Sequence, residues 1–222
     1  MMKDRRKVDL TAVSFEDFVG FFFSPEVRTE EEKITYEEKE NWYWGIDDEY
    51  VSQTFCAYYI RLFRNPEFLL QRFTNEQLEE GFWAMQGPVL NCSLVNLLSD
   101  TDLPFDARAE CIESMADLFG RLFPRASWDS SVGMWWDTLC YDWHCGNRNW
   151  SNGGEDKLLQ DAFFGTLSKI LFFNSNICQG AALHGLGHLH HPDTLGLIGR
   201  YLEGHPSSPM NGKHMLPPQS LR

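Results

Sequence analysis

The stretch from Asn176 to Leu202, NICQGAALHGLGHLHHPDTLGLIGRYL, limits most sharply what this chain can fold into. At about 100° per residue, Cys178, Ala182, Gly185, Leu186 and Leu189 share one arc of a helix. His184, His188 and His191 fall on a second arc, nearly opposite. Gly180, Ala181 and Gly187 flank the histidines and would let another backbone come close there. Each glycine costs the helix about 1 kcal/mol relative to Ala. Pro192 ends this helix, because its ring disfavours α geometry in the residue before it. Asp193 or Thr194 can cap a second helix with an inner face of Leu195, Ile198 and Leu202. Neither apolar stripe is wide enough to stand alone, so the pair requires helical neighbours.

Such neighbours are written along the rest of the chain. Ser14 with Asp17 resembles a capping arrangement, and Phe15, Phe18, Val19 and Phe22 follow it on one face before Ser24-Pro25. Asp47-Asp48-Glu49 places negative charge at the start of a helix reaching about Arg64, with Val51, Phe55, Tyr59, Leu62 and Phe63 inward. Pro66–Phe73 reads as a short helix or linker. Thr74-Asn75-Glu76-Gln77 is a capping box, and Gly87-Pro88 breaks the helix that follows. Val89–Leu98 forms another helix, and a strong one opens near Pro104 or Asp106, with Ile112, Met115, Phe119, Leu122 and Phe123 apolar. Ser127–Trp143 contains an aromatic-rich helix, residues 145–156 are loop, and Leu158–Phe173 is helical. No alternation persists long enough to make a sheet. The fold class expected is all-α: stacked antiparallel helix pairs, eight to ten helices over residues 1–203, then a Pro-rich tail over 204–222.

The run Ala181-Ala182-Leu183-His184-Gly185-Leu186-Gly187-His188-Leu189, with Pro192 and Ile198-Gly199-Arg200-Tyr201-Leu202, resembles a HEAT-type repeat of an α-solenoid. The likeness is good over residues 176–202 and holds elsewhere only by pattern. An offset of 67 residues superposes Cys111 on Cys178, Phe119 on Leu186, Gly120 on Gly187 and Leu122 on Leu189, an interval that suits two helix-pair units. The resemblance implies a solenoid and little about activity, since such folds serve as scaffolds, enzymes and inhibitors alike.

Composition narrows the function classes. The net charge of −13 repels nucleic-acid phosphates and anionic membranes and favours basic protein partners. No apolar run is long enough to span a bilayer, and the amino terminus lacks the apolar core of a secretory signal. Six cysteines without a CxxC pair read as reduced thiols, which makes the cytoplasm the default compartment. Between Glu26 and Glu49, ten acids stand against three bases, a local balance of −7.

Two candidate sites emerge. The first is a partner-binding surface of Trp42, Tyr43, Trp44, Asp47, Asp48 and Glu49, joining long-range attraction to aromatic anchors. The plainer reading is a solvated acidic loop whose tryptophans tuck into the core. The second is a metal stripe of His184, His188 and His191 at i, i+4 and i+7, suited to zinc or another imidazole-preferring ion. Gly185-Leu186-Gly187 occupies the place of the catalytic Glu in an HExxH helix, so the bland alternative is a polar helix face with incidental histidines. No Gly-x-Ser-x-Gly elbow, phosphate-cradling loop or identifiable carboxylate pair appears, and Cys140 or Cys145 beside His144 is a local coincidence. The expectation is therefore a non-catalytic module without cofactor that recognises a basic protein. A bacterial immunity protein neutralising a cationic toxin would suit this size and acidity. The alternative is a metal-dependent enzyme or metal-binding module built on the three histidines.

Overall fold

The computed structural model describes residues 5–27 and 41–204. The Pro-rich tail, apart from Gly204, and most of the acidic run before Asn41 lie outside the described residues. In chain order the elements are β1 (Arg6–Asp9), α1 (Phe15–Phe23), a 3-10 turn (Trp42–Gly45) and β2 (Ile46–Glu49). There follow α2 (Ser52–Arg64), α3 (Leu69–Arg72), α4 (Asn75–Gln86), α5 (Leu94–Ser99) and α6 (Phe105–Arg121). From residue 130 onward come α7 (Ser130–Gly133), α8 (Trp135–Leu139), α9 (Tyr141–His144), α10 (Gly154–Leu171), α11 (Asn176–Leu189) and α12 (Thr194–Gly204). The protein is mostly helical, as expected.

Both anticipated capping boxes form. Asp17 N donates to Ser14 Oγ while Ser14 N donates back to Asp17 Oδ2, and Thr74 and Gln77 reciprocate in the same way at α4. Among the longer helices, α6 packs against both α2 and α10, and α10 packs in turn against α11. The inward faces read from the sequence hold where the helix is long: Leu159, Phe163, Leu167, Ile170 and Leu171 of α10 are all buried.

Several expectations fail for identifiable reasons. A sheet exists: β1 and β2 pair in parallel, with Arg6 opposite Ile46 and Asp9 opposite Glu49. Four residues per strand are too few to show alternation above the background of the sequence. Asp47, Asp48 and Glu49 therefore lie on a strand, and α2 begins only at Ser52. The span 127–143 is three short helices, with backbone breaks at Met134 and Cys140. Residues 89–92 are turns, leaving α5 only six residues long. On α12 it is Leu197 that is buried, whereas Leu195 and Leu202 are 84% and 59% exposed. That helix is rotated relative to the face drawn from Leu195, Ile198 and Leu202.

Aromatic rings dominate the interior. Phe18 makes edge contacts with Phe22, Phe55 and Tyr59, joining α1 to α2. Trp135 and Trp136 of α8 are fully buried, the first against Phe63, Phe82 and Phe123, the second stacked on Phe119 at 5.5 Å. Helix α11 meets this cluster at Gly185. A Cβ there would stand 2.6 Å from Trp136 Cγ and 2.8 Å from Leu167 Cδ2. Gly180 and Gly187, which the sequence marks for close approach, have nothing within 4 Å. Gly185→Ala should therefore lower stability by about 1–3 kcal/mol through overpacking, despite its better helix propensity. Gly187→Ala should raise it by roughly 0.5–1 kcal/mol. Urea unfolding of the two variants, monitored by circular dichroism, distinguishes these outcomes.

A buried charge joins two of the longer helices. Arg108 of α6 is 2% exposed and holds Glu155 of α10 through two hydrogen bonds, at 3.0 and 2.8 Å. The Arg108 guanidinium keeps the Glu155 carboxyl below its ordinary pKa, against the opposing effect of burial. Because the native value lies below the unfolded one, this stabilisation is complete above the ordinary carboxylate range and is lost as pH falls through the lowered value. Glu155→Gln should cost about 1–2 kcal/mol at neutral pH, since it strips a buried guanidinium of its counter-charge but removes a carboxylate that is itself partly screened by solvent. Urea midpoints measured from pH 7 to pH 3 should also fall less steeply for the variant than for the wild type.

Candidate functional site

The acidic aromatic segment divides once it is folded. Trp44 is 52% exposed, and Asp47 and Glu49 face solvent. Trp42 is half-buried, and Tyr43 is buried and receives a 2.8 Å hydrogen bond from Asn41 Nδ2. Asp48 is buried too. Its carboxylate accepts from Asn91 N at 2.9 Å and Cys92 N at 2.8 Å, while its carbonyl accepts from Asn91 Nδ2. Alternation along β2 explains the division: Ile46 and Asp48 turn inward, Asp47 and Glu49 outward. Asp48 is thus a staple between the sheet and the turn at 91–92, a correction to its assignment as a partner-binding residue. Tyr43 is corrected likewise. Asp48→Ala should cost about 2–4 kcal/mol by orphaning the two backbone N–H groups, while Asp47→Ala should stay within roughly 0.5 kcal/mol. Thermal unfolding of both variants tests the distinction.

A second acidic feature lies beside this segment, and the sequence did not single it out. Asn41, Asn75, Glu76, Glu79, Glu80, Trp83, Trp128 and Asp129 line a groove of about 610 Å³. Its walls come from α4, the residues before α7 and the entry to the Trp42–Gly45 turn. Glu79 is fixed in place by three hydrogen bonds, from Ser131 N, Ser131 Oγ and Trp83 Nε1. Asn41 lines this groove and donates to the Tyr43 hydroxyl, which joins the first segment to it. The spacing of Glu76, Glu79, Glu80 and Trp83 on α4 was readable, but nothing local ties it to Trp128 and Asp129.

The histidines also separate. Helix α11 ends at Leu189, and His190 adopts a left-handed conformation at φ 53°. The i+7 projection therefore stops short of His191. That ring is turned toward α10, stacked on Phe164 at 4.0 Å, with Nε2 donating to Asp161 Oδ1 at 2.9 Å. Its Nδ1 accepts from Asp193 N at 3.1 Å, so both nitrogens are engaged. Asp161 also receives Trp150 Nε1 and Lys157 Nζ. Burial pushes the Asp161 carboxyl up, but its hydrogen bonds from Lys157, His191 and Trp150 outweigh this and hold it below the ordinary value. His191 is a packed structural residue, a correction to its place in the metal stripe.

His184 and His188 stay together and gain a carboxylate. Asp137 of α8 brings Oδ1 to 3.2 Å from His184 Nε2 and 3.6 Å from His188 Nε2, and the two nitrogens are 2.8 Å apart. His184 Nδ1 faces Gly133 O at 3.0 Å. Burial lowers the His188 pKa, offset in part by Asp137 and reinforced by His184, His144 and His190. Asp137 follows two buried tryptophans, whose burial fixes α8, and the glycine contact at Trp136 brings His184 and His188 to it. No spacing rule links residue 137 to residues 184 and 188, and this is why the carboxylate escapes a reading of the sequence.

Comparison with known protein families, curated proteins and solved structures found no match. The geometry alone carries the functional argument.

Proposed function

We propose that this chain is a non-catalytic protein-binding module that grips a cation-rich protein through the groove between α4 and α7 and the neighbouring Trp44–Asp47–Glu49 edge. The observation that carries this reading is the groove itself. It gathers Glu76, Glu79, Glu80 and Asp129 beside Trp83 and Trp128, with the Glu79 carboxylate already oriented by its hydrogen bonds. Clustered carboxylates accelerate the approach of a basic partner, and the half-buried Trp83 beside them suits its aliphatic and guanidinium surfaces, while buried Trp128 backs the groove. A net charge of −13 acts in the same direction.

The packing of α2, α6, α10 and α11 on successive neighbours supports a HEAT-like scaffold as the frame for that surface. An immunity protein neutralising a cationic toxin is the specific form we favour. It requires a large anionic face and no catalytic machinery. No helix among the described residues is long and apolar enough to cross a membrane.

Binding of a fluorescent decalysine peptide tests the charge component. Affinity should fall at least about tenfold between roughly 50 and 300 mM salt, and a further tenfold or so with Glu76→Lys/Asp129→Lys. Glu113→Lys/Glu203→Lys, an equal change of charge at exposed residues outside the groove lining, should change it less than twofold. Equal losses in both variants would reduce the groove to bulk charge and overturn the proposal. For the immunity form, the product of an adjacent toxin-like reading frame should co-purify with the wild type and be lost from the groove variant.

A further inference from the structure

We propose that Asp137, His184 and His188 bind a zinc ion that clamps the short helices α7 and α8 to α11. The three atoms Asp137 Oδ1, His184 Nε2 and His188 Nε2 form a triangle with edges of 2.8, 3.2 and 3.6 Å. Ligands of a tetrahedral zinc, at about 2.0–2.1 Å from the metal, are spaced roughly 3.3 Å from one another. The triangle brackets that spacing. Three protein ligands leave one coordination position for water or another small ligand.

Hydrogen bonding among the three groups leaves a deficit that a cation removes. His184 Nδ1 faces a carbonyl, so in the neutral tautomer the proton sits there and Nε2 presents a lone pair. The Asp137 carboxylate, 3.2 Å from that lone pair, is also an acceptor. Asp137 Oδ1 is buried and takes no well-formed hydrogen bond. With both rings neutral, a single proton, on His188 Nε2, is left to be shared among these acceptors. A divalent ion satisfies all three at once. The Gly133 carbonyl meanwhile fixes His184 in the orientation and tautomer that ligation needs, as outer-shell partners of metal-bound imidazoles do. His188 is positioned instead by packing, its ring 4.3 Å from that of His144, and its Nδ1 is buried without a partner.

The rest of the fold is arranged to keep the triangle in register. Asp137 directly follows fully buried Trp136, and His184 directly precedes Gly185, the residue at which α11 touches that tryptophan. The ligands are half-buried, so an ion can enter without unfolding the chain. The site is separate from the acidic groove and does not depend on the binding function proposed above.

The test uses the full chain, stripped with a chelator, dialysed and titrated with zinc sulfate in an isothermal calorimeter. One zinc per chain is expected, together with a rise in melting temperature of about 5–10 °C at a hundredfold excess over Kd. Asp137→Asn, which keeps the shape of the side chain, should weaken zinc at least about tenfold. His184→Ala should abolish binding, and the exposed His190→Asn should leave it unchanged. Cobalt in place of zinc should give the intense visible absorption of a tetrahedral ion, lost in Asp137→Asn. Failure of the folded wild type to bind zinc at micromolar concentration would overturn the proposal. So would binding that survives both Asp137→Asn and His184→Ala, with folding of each verified by circular dichroism.

Discussion

The contact between the α11 backbone and the Trp136 indole is the constraint on which the carboxyl-terminal half depends. Only hydrogen fits at position 185, and the helix comes close enough to seal the aromatic cluster because of it. The same approach sets the direction of everything else on α11. Cys178, Ala182, Leu186 and Leu189 turn into the core, and His184 and His188 are left at its rim against α8. A helix carrying three glycines among its last ten residues has weak intrinsic preference for its conformation. Tertiary packing holds it instead, which is the usual source of helical stability in folded proteins.

Elsewhere in the fold, polar groups do the fastening. Asp48 reaches across to the 91–92 turn, and Arg108 spans from α6 to the start of α10. Each holds together segments more than forty residues apart in sequence. Neither strengthens the core by apolar burial. Their effect is specificity of arrangement: Asp48 requires that β2 face the turn, and Arg108 requires that Glu155 sit in the first turn of its helix, where negative charge is also favoured by the macrodipole.

Much of the helical framework was legible from residue order, because a 3.6-residue repeat and reciprocal caps are local signals. Ser14–Asp17, Thr74–Gln77 and the buried stripe of α10 were all recoverable in this way. The sheet was not, since Arg6–Asp9 and Ile46–Glu49 pair across forty residues and carry too few positions to show a period. Periodicity misled most at helix ends. His191 lies past the left-handed turn at His190, so extending the stripe by one more turn assigned it a role the backbone does not permit. Of the candidate site residues, Trp44, Asp47 and Glu49 reach solvent, while Tyr43 and Asp48 serve the interior. A run of acids reveals its charge in the sequence, but which of them face outward is decided by strand alternation. Asp137 and the Trp128–Asp129 side of the groove could be found only when the fold had assembled them.

The small parallel ribbon near the amino terminus has a consequence for how molecules meet one another. A two-stranded sheet has two outer edges; Asn91 Nδ2 engages the β2 side at the Asp48 carbonyl, which leaves the β1 side as the one inviting strand addition by a second copy. Here the four residues of β1 include Arg6, Lys7 and Asp9, all exposed, and the strand ends after a single turn's length of pairing. Solvated charges on so brief an edge make intermolecular pairing costly. The ribbon can therefore anchor its end of the chain while remaining a poor template for aggregation.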